Sequence, residues 1–280
     1  MKMFNKVVIF GTGLIGGSLG LALKRKHLVE RITGLSRHKK NARKALKIGS
    51  IDCIGSSIDA VRDADLVILA SPVDSIINIA LKIAKGLKKD CVVIDVGSTK
   101  ENIVTKAGAL IPNFVGCHPL AGSEKKGIEN ARGTIFAGSI CIITPSAKTK
   151  KNALNKIKLL WRKLGAQVVI LTPKKHDQIL AFTSHLPHTI AFSLIGSIPD
   201  KFLSISSGGL KDTTRISGSN ALLWSKIFLS NRKNLLASVS SFQAKLAALK
   251  LALENKDMKC LMKILSAAKR KRERLLRLSR

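Results

Sequence analysis

VVIFGTGLIGGSLGLAL, residues 7–23, decides how the rest of the chain is read. Val7-Val8-Ile9-Phe10 is a short apolar run of the kind that forms a buried parallel strand. It leads straight into Gly11, Gly13 and Gly16 at G-x-G-x-x-G spacing. Gly11 permits a tight strand-to-helix turn, Gly13 lets the backbone approach a pyrophosphate, and Gly16 lets the next helix pack closely on the strand. That helix opens at Leu14 and Ile15, with its free N–H groups and positive dipole end aimed at the phosphate. Strand before and helix after turn a weak glycine pattern into a dinucleotide-binding turn.

At 280 residues the chain has room for a large core and is read as two domains. The five cysteines, Cys53, Cys91, Cys117, Cys141 and Cys260, stand singly with no C-x-x-C. That indicates neither a metal site nor a disulfide framework, and it fits a reduced, cytoplasmic setting. No signal peptide is visible and no charge-free span approaches about 20 apolar residues, so a soluble protein with no membrane partner is expected. Net charge is +32, from 49 Lys and Arg against 17 Asp and Glu, enough to attract nucleic acid non-specifically. The lysines are scattered, however, with one dense block at 269–280, and without tyrosine the chain offers little for stacking bases. No specific nucleic-acid partner is expected; such a surface is suited to gathering anionic substrates and cofactor phosphates.

Arg31-Ile32-Thr33-Gly34-Leu35-Ser36 reads as the second strand. In NAD-selective folds an acidic residue about 20 residues past the glycines hydrogen-bonds the ribose 2′-hydroxyl. Here Ser36 stands at that place, followed by Arg37. A carboxylate repels a 2′-phosphate, whereas a hydroxyl beside a guanidinium accepts it, so NADP is the preferred cofactor and NAD the alternative.

Further apolar runs at 51–54, 65–72 and 91–98 end in small or turn-forming residues, with helical stretches between them, which is the βαβ pattern of a parallel sheet. Ligands in such sheets lie off the carboxyl ends of the strands, which brings Ser71, Pro72 and Gly97-Ser98-Thr99-Lys100 to the cofactor. Runs at 113–116, 140–144 and 167–171 extend the sheet to eight strands. From Lys174 onward apolar residues recur at helical spacing, as in Ile179-Phe182-Thr183-Leu186 and Leu246-Leu249-Leu253. The expected fold is α/β: a Rossmann-like, mostly parallel sheet domain over residues 1–173 and an all-helical substrate-binding and dimerisation domain over 174–280. The basic run from Lys269 to Arg274 reads as the solvated last turns of a helix.

Three polar clusters stand out against apolar surroundings: GCHPLAGSE at 116–124, SHLPH at 184–188 and KDTTR at 211–215. Together with GTGLIGGSLG and with DVGSTK at 95–100, they resemble, in order, the recurrent blocks of the prephenate and arogenate dehydrogenases of tyrosine biosynthesis. The resemblance covers about residue 6 to about residue 235. It implies oxidative decarboxylation of a cyclohexadienyl substrate, with hydride going from the hydroxyl-bearing ring carbon to the nicotinamide and the ring carboxylate leaving as carbon dioxide. By match to these blocks, His118 accepts the hydroxyl proton, and Ser98 hydrogen-bonds both His118 and that hydroxyl. Arg215 holds the ring carboxylate. His185 lies nearer the nicotinamide and His188 nearer the substrate side chain, with Ser123 and Glu124 also at the substrate. Asp212 is a helix cap or a partner for Arg215. A carboxylate such as Glu124 favours the ammonium of arogenate, so arogenate is expected ahead of prephenate. A homodimer is implied as well.

The β-hydroxyacid dehydrogenases share a Rossmann-plus-helices plan, but their G-G-x-x-x-N-x-x-K block is absent. Here Gly208-Gly209 is followed by Leu210-Lys211-Asp212-Thr213-Thr214. A basic dinucleotide-binding protein acting on nucleic acid is the more distant reading, and it leaves His118, Ser98 and Arg215 without a role.

Overall fold

A parallel strand covered on both faces needs apolar residues on both, and β1 (Phe4–Phe10) supplies them. Val7 and Ile9 enter one core with Leu66, Ile68 and Ile94, while Val8 and Phe10 enter the other with Val67, Leu69 and Val93. The computed structural model describes residues 2–121 and 127–278. Eight strands form one sheet: β1, β2 (Val29–Leu35), β3 (Cys53–Ile54), β4 (Leu66–Leu69), β5 (Val92–Asp95), β6 (Phe114–Pro119), β7 (Ile140–Thr144) and β8 (Gln167–Ile170). Their order is β3-β2-β1-β4-β5-β6-β7-β8, and all neighbours are parallel except β6 and β7.

The first core is covered by α1 (Leu14–Arg25), through Leu19 and Leu23, and by α5 (Lys151–Lys163), through Ile157, Leu160 and Trp161. The second is covered by α3 (Val73–Ile83), through Ile76 and Ala80, and by α4 (Glu101–Leu110), through Ile103, Val104 and Ala107. A short α2 (Lys39–Lys47) buries Ala42 and Ala45. Strand order reverses direction between β1 and β4, the switch point where such sheets open a crevice at their carboxyl edge.

After β8 the chain is helical: α6 (Pro173–Leu180), a π-helical turn over Ala181–His185, α7 (Leu186–Ser197), α8 (Gly208–Thr214) and α9 (Ala221–Ser230). Pro173 sits in the first turn, where its missing N–H costs nothing, and the Thr172 hydroxyl accepts the Lys175 N–H. By length and composition the run Pro173–Ser197, 25 residues, could cross a bilayer, which the sequence reading did not anticipate. Its buried His176, Asp177 and His185 are hydrogen-bonded to other parts of the protein.

The chain divides into two compact units, residues 1–232 and 233–280. The second unit consists of α10 (Arg232–Glu254), apart from its first residue, and α11 (Met258–Leu278), opened by Asp257, whose carboxylate accepts the Cys260 N–H. Leu246, Leu251, Leu253, Met262 and Leu265 on these helices are exposed, and the basic run Lys269–Arg274 lies on α11.

Candidate active site

The carboxyl ends of β1, β4, β5 and β6 share one edge, because the register aligns Phe10 with Leu69, Leu69 with Asp95 and Asp95 with Gly116. Gly11 turns away from β1 at φ +95°, and a Cβ there would stand 2.5 Å from the Ala70 carbonyl oxygen, so β4 closes tightly against the turn. A Cβ on Gly16 would lie 2.0 Å from the Gly11 carbonyl oxygen, which is how close α1 comes to the strand that feeds it. Ser71 hydrogen-bonds the Phe10 carbonyl, and Pro72 caps α3, so both stand beside the glycine turn. The Gly11 N–H donates to the Leu35 carbonyl at 2.8 Å, which brings Ser36 and the exposed Arg37 to the same place.

The residues present fit a dinucleotide. No side chain caps the start of α1, where Leu14 and Ile15 form the first turn. Space is open over Gly13, and the buried Thr12 hydroxyl has no partner among the described residues.

Three strand spacings along this edge, roughly 14 Å from β1, His118 stands near the end of β6, pinned by its pairing with Ile142 on β7. Its Nδ1 lies 2.8 Å from His176 Nε2, and His176 Nδ1 lies 2.7 Å from Asp177 Oδ1. Asp177 Oδ1 accepts the Lys100 N–H at 2.8 Å and Oδ2 accepts the Glu101 N–H at 2.9 Å, so this carboxylate from α6 caps the N-terminus of α4. Behind it, the fully buried Lys100 ammonium is paired with the fully buried Asp95, whose Oδ2 also accepts the Gly97 N–H. Asn231 completes the group, its Nδ2 donating to the Asp177 carbonyl at 2.8 Å and to His185 Nδ1 at 3.1 Å.

Burial dominates the electrostatics. It holds His118 well below the usual imidazole range, with His176, Lys100 and His185 adding to the effect. His176 is lowered by burial against the opposing pull of Asp177, and His185 is lowered to about 4, again chiefly by burial. Burial pushes the Asp95 carboxyl upward against the attraction of Lys100. These imidazoles are therefore neutral at physiological pH.

Stability follows from the sign of these shifts. An imidazole that stays neutral when folded but protonates when unfolded contributes fully above its unfolded value of 6.5, and the contribution fades as pH falls toward the folded value. Between pH 6.5 and about 4, His185 alone accounts for a loss of about 3 kcal/mol. Thermal melts across this range are expected to show a falling midpoint; a midpoint that stays level from pH 7 to 5 contradicts the buried neutral imidazoles.

Ser98 lies in the β5–α4 loop and makes no hydrogen bond to His118 among the described residues, where His118 Nδ1 pairs with His176. His188 is half-buried, stacks on Trp224 with ring centroids 3.4 Å apart, and its Nδ1 pairs with the Ser184 carbonyl. His185 is buried edge-on to the same indole. Arg215 is exposed at the end of α8, where the chain packs against α7, the helix of His188. Asp212 lies within α8 rather than at its cap. Ser123 and Glu124 lie outside the described residues.

His176, Asp177 and Asn231 escaped the sequence reading. Lys174-Lys175-His176-Asp177 has the composition of a solvated first helical turn, and the only signal is two polar residues in step with the buried Leu180 and Ala181.

The model of the prephenate dehydrogenase nucleotide-binding domain matches residues 19–171, and that of the prephenate dehydrogenase dimerization domain matches residues 172–267. The cyclohexadienyl dehydrogenase of Zymomonas mobilis is 34% identical over 269 residues, 92% of this chain and 91% of that protein. Among solved structures, prephenate dehydrogenase from A. aeolicus in complex with hydroxyphenyl propionate and NAD+ aligns with a TM-score of 0.91 at 34% identity. That alignment covers 97% of this chain and 98% of the other. Synechocystis arogenate dehydrogenase aligns with a TM-score of 0.85 at 28% identity, over 96% of this chain and 99% of that one. With the two domain models together matching residues 19–267, and with likeness running through nearly the whole of each of these relatives, the chain belongs to the prephenate dehydrogenase family of oxidoreductases.

Proposed function

We propose that the protein oxidatively decarboxylates a cyclohexadienyl acid, arogenate in the first place, with NADP as the hydride acceptor. The observation that carries this reading is His118 at the carboxyl edge of the sheet, its Nδ1 engaged inside the protein and its Nε2 without a protein partner among the described residues. When bound, the nicotinamide accepts the hydride that leaves the hydroxyl-bearing ring carbon.

As that C–H bond breaks, His118 Nε2 takes the hydroxyl proton and the carbon becomes a carbonyl. The bond to the ring carboxylate then breaks, carbon dioxide leaves, and the electron pair stays behind to make the ring aromatic. The resulting phenolate takes the proton back from His118, so no net proton is released from the ring. Weakened basicity suits both halves of this cycle: the imidazole is neutral when substrate arrives and yields its proton readily afterwards. Arg215, carried over from the family match, is assigned to the ring carboxylate, for which its planar fork is suited. Ser98 is assigned to the reacting hydroxyl, His185 to the nicotinamide side of the pocket, and His188, Ser123 and Glu124 to the substrate side chain.

NADP is supported by Ser36 and Arg37 beside the glycine turn. The expected result is a higher kcat/KM with NADP than with NAD, and a loss of roughly 10–100-fold for NADP alone in Arg37→Ala, the worth of one hydrogen bond to a charged group. Prephenate is the second reading, favoured by the activity named for the relative from A. aeolicus. Steady-state assays of the purified protein with each substrate and each cofactor test both choices; inactivity with both substrates overturns the function. The exposed leucines and methionines of α10 and α11 are assigned to a second copy of the chain, consistent with the dimerization domain matched there.

A further inference from the structure

We propose that His176 and Asp177 are positioning residues that fix which nitrogen of His118 carries a proton, leaving Nε2 as the acceptor that faces the substrate. The inference rests on the reading of His118 as the proton acceptor and adds the means by which the fold prepares it.

The N–H groups of Lys100 and Glu101 at the start of α4 both donate to Asp177, one to each oxygen, so both oxygens must accept, as only the ionised carboxylate can without conflict. The partial positive charge at a helix N-terminus stabilises that anion, and Asn231 holds the residue's own carbonyl from the other side. Asp177 Oδ1 lies 2.7 Å from His176 Nδ1 and has no proton to give, so His176 Nδ1 carries the hydrogen. A neutral His176 then has a lone pair on Nε2. That atom lies 2.8 Å from His118 Nδ1, which must therefore donate. In a neutral His118 the remaining nitrogen, Nε2, is left with its lone pair.

The order of donors thus runs from a helix terminus through two imidazoles to the reacting centre, with each tautomer dictated by the one behind it. When His118 gains a second proton during turnover, His176 already offers its lone pair to Nδ1–H, and the fixed Asp177 carboxylate lies beyond it. The groups facing this chain are the charged Lys100, paired with Asp95, and the neutral His185, whose Nδ1 accepts from Asn231. Lys100 disfavours a standing positive charge on His118 and His176 alike. Neither His176 nor Asp177 touches the substrate in this scheme, and their whole effect passes through His118.

The test has two parts. In the wild-type protein, with no substrate present, long-range ¹H–¹⁵N correlation of the histidine rings should show His118 Nε2 unprotonated and His118 Nδ1 and His176 Nδ1 protonated. A proton on His118 Nε2 overturns the proposal without reference to activity. In steady-state kinetics, His176→Leu removes the acceptor behind His118 and should lower kcat about 10–100-fold with both KM values within about twofold. His176→Gln can donate to Asp177 and accept from His118, and should recover most of that loss. Wild-type kcat in His176→Leu, or equal losses in both variants, overturns the proposal. These outcomes are separable from failure of the reading beneath it, which is judged by His118→Asn alone.

Discussion

His118→Asn lowers kcat by about 10²–10⁴-fold, the range spanned by positioned acid–base groups, and leaves the dissociation constant of the dinucleotide within about twofold. The two halves of this expectation have different structural sources. The proposed grip on the dinucleotide is at the β1–α1 turn and beside Ser36, Arg37 and Ser71, none of which hydrogen-bonds His118 among the described residues. Proton transfer, by contrast, has no second base at the end of β6 among the described residues. His176 lies behind His118, and His185 is engaged with Asn231. An amide keeps the size and one hydrogen bond to His176 but has no lone pair basic enough to take a hydroxyl proton. Full activity in this variant, measured alongside cofactor titration by fluorescence, removes His118 from the chemistry.

Gly16→Ala abolishes tight dinucleotide binding and destabilises the protein by about 3 kcal/mol, the upper end of the cost of overpacking. The added methyl carbon would be placed 2.0 Å from the Gly11 carbonyl oxygen and 3.1 Å from the Ala70 side chain. The nearer atom is backbone and has nowhere to go, because a Cβ on Gly11 would itself sit 2.5 Å from the Ala70 carbonyl; the turn is pressed between α1 and β4. Relief comes only by moving α1 away, which takes its N-terminus off the crevice and loosens Leu19 and Leu23 from the core. A midpoint lower by about 10 °C is expected in thermal unfolding. Retention of both midpoint and cofactor affinity shows that α1 does not need the close approach seen here.

Much of this fold is legible in the chain because its signals are local. The run of Val7 to Phe10 followed by three spaced glycines carries strand, turn and helix in one stretch, and the strand at 140–144 is found with those bounds. Direction along the sheet is another matter. β7 reads like any other apolar strand, yet it runs antiparallel to β6, because that depends on how the chain between Leu120 and Ile140 returns and not on residue pattern. Composition changes at Pro173, but α6 to α9 pack with the sheet, and the first compact unit continues to Arg232. What holds them is polar and non-local: Asp177 on α4, Asn231 on Asp177, and the Ser230 hydroxyl on Thr99.

The site follows the same division. His118 is legible from a contiguous block, HPLAGSE. Lys100 belongs to a block read in the sequence, but its complete burial does not show there, since lysine is almost never buried without a partner and its partner is five residues away across a turn. The π-helical turn at Ala181–His185 left no mark either; its wider turn changes which side chains face inward, and His185 is buried while Phe182 is exposed.

The bond network at Asp177 bears on any splice between this chain and a relative. The two domain models meet between residues 171 and 172, a natural seam at which to splice one relative's amino-terminal half to another's carboxyl-terminal half. Yet the carboxylate just past that seam closes the first turn of a helix well before it. A chimera joined there inherits a working proton acceptor only if the incoming acid meets the resident amides in register, so the two halves are bound to change together.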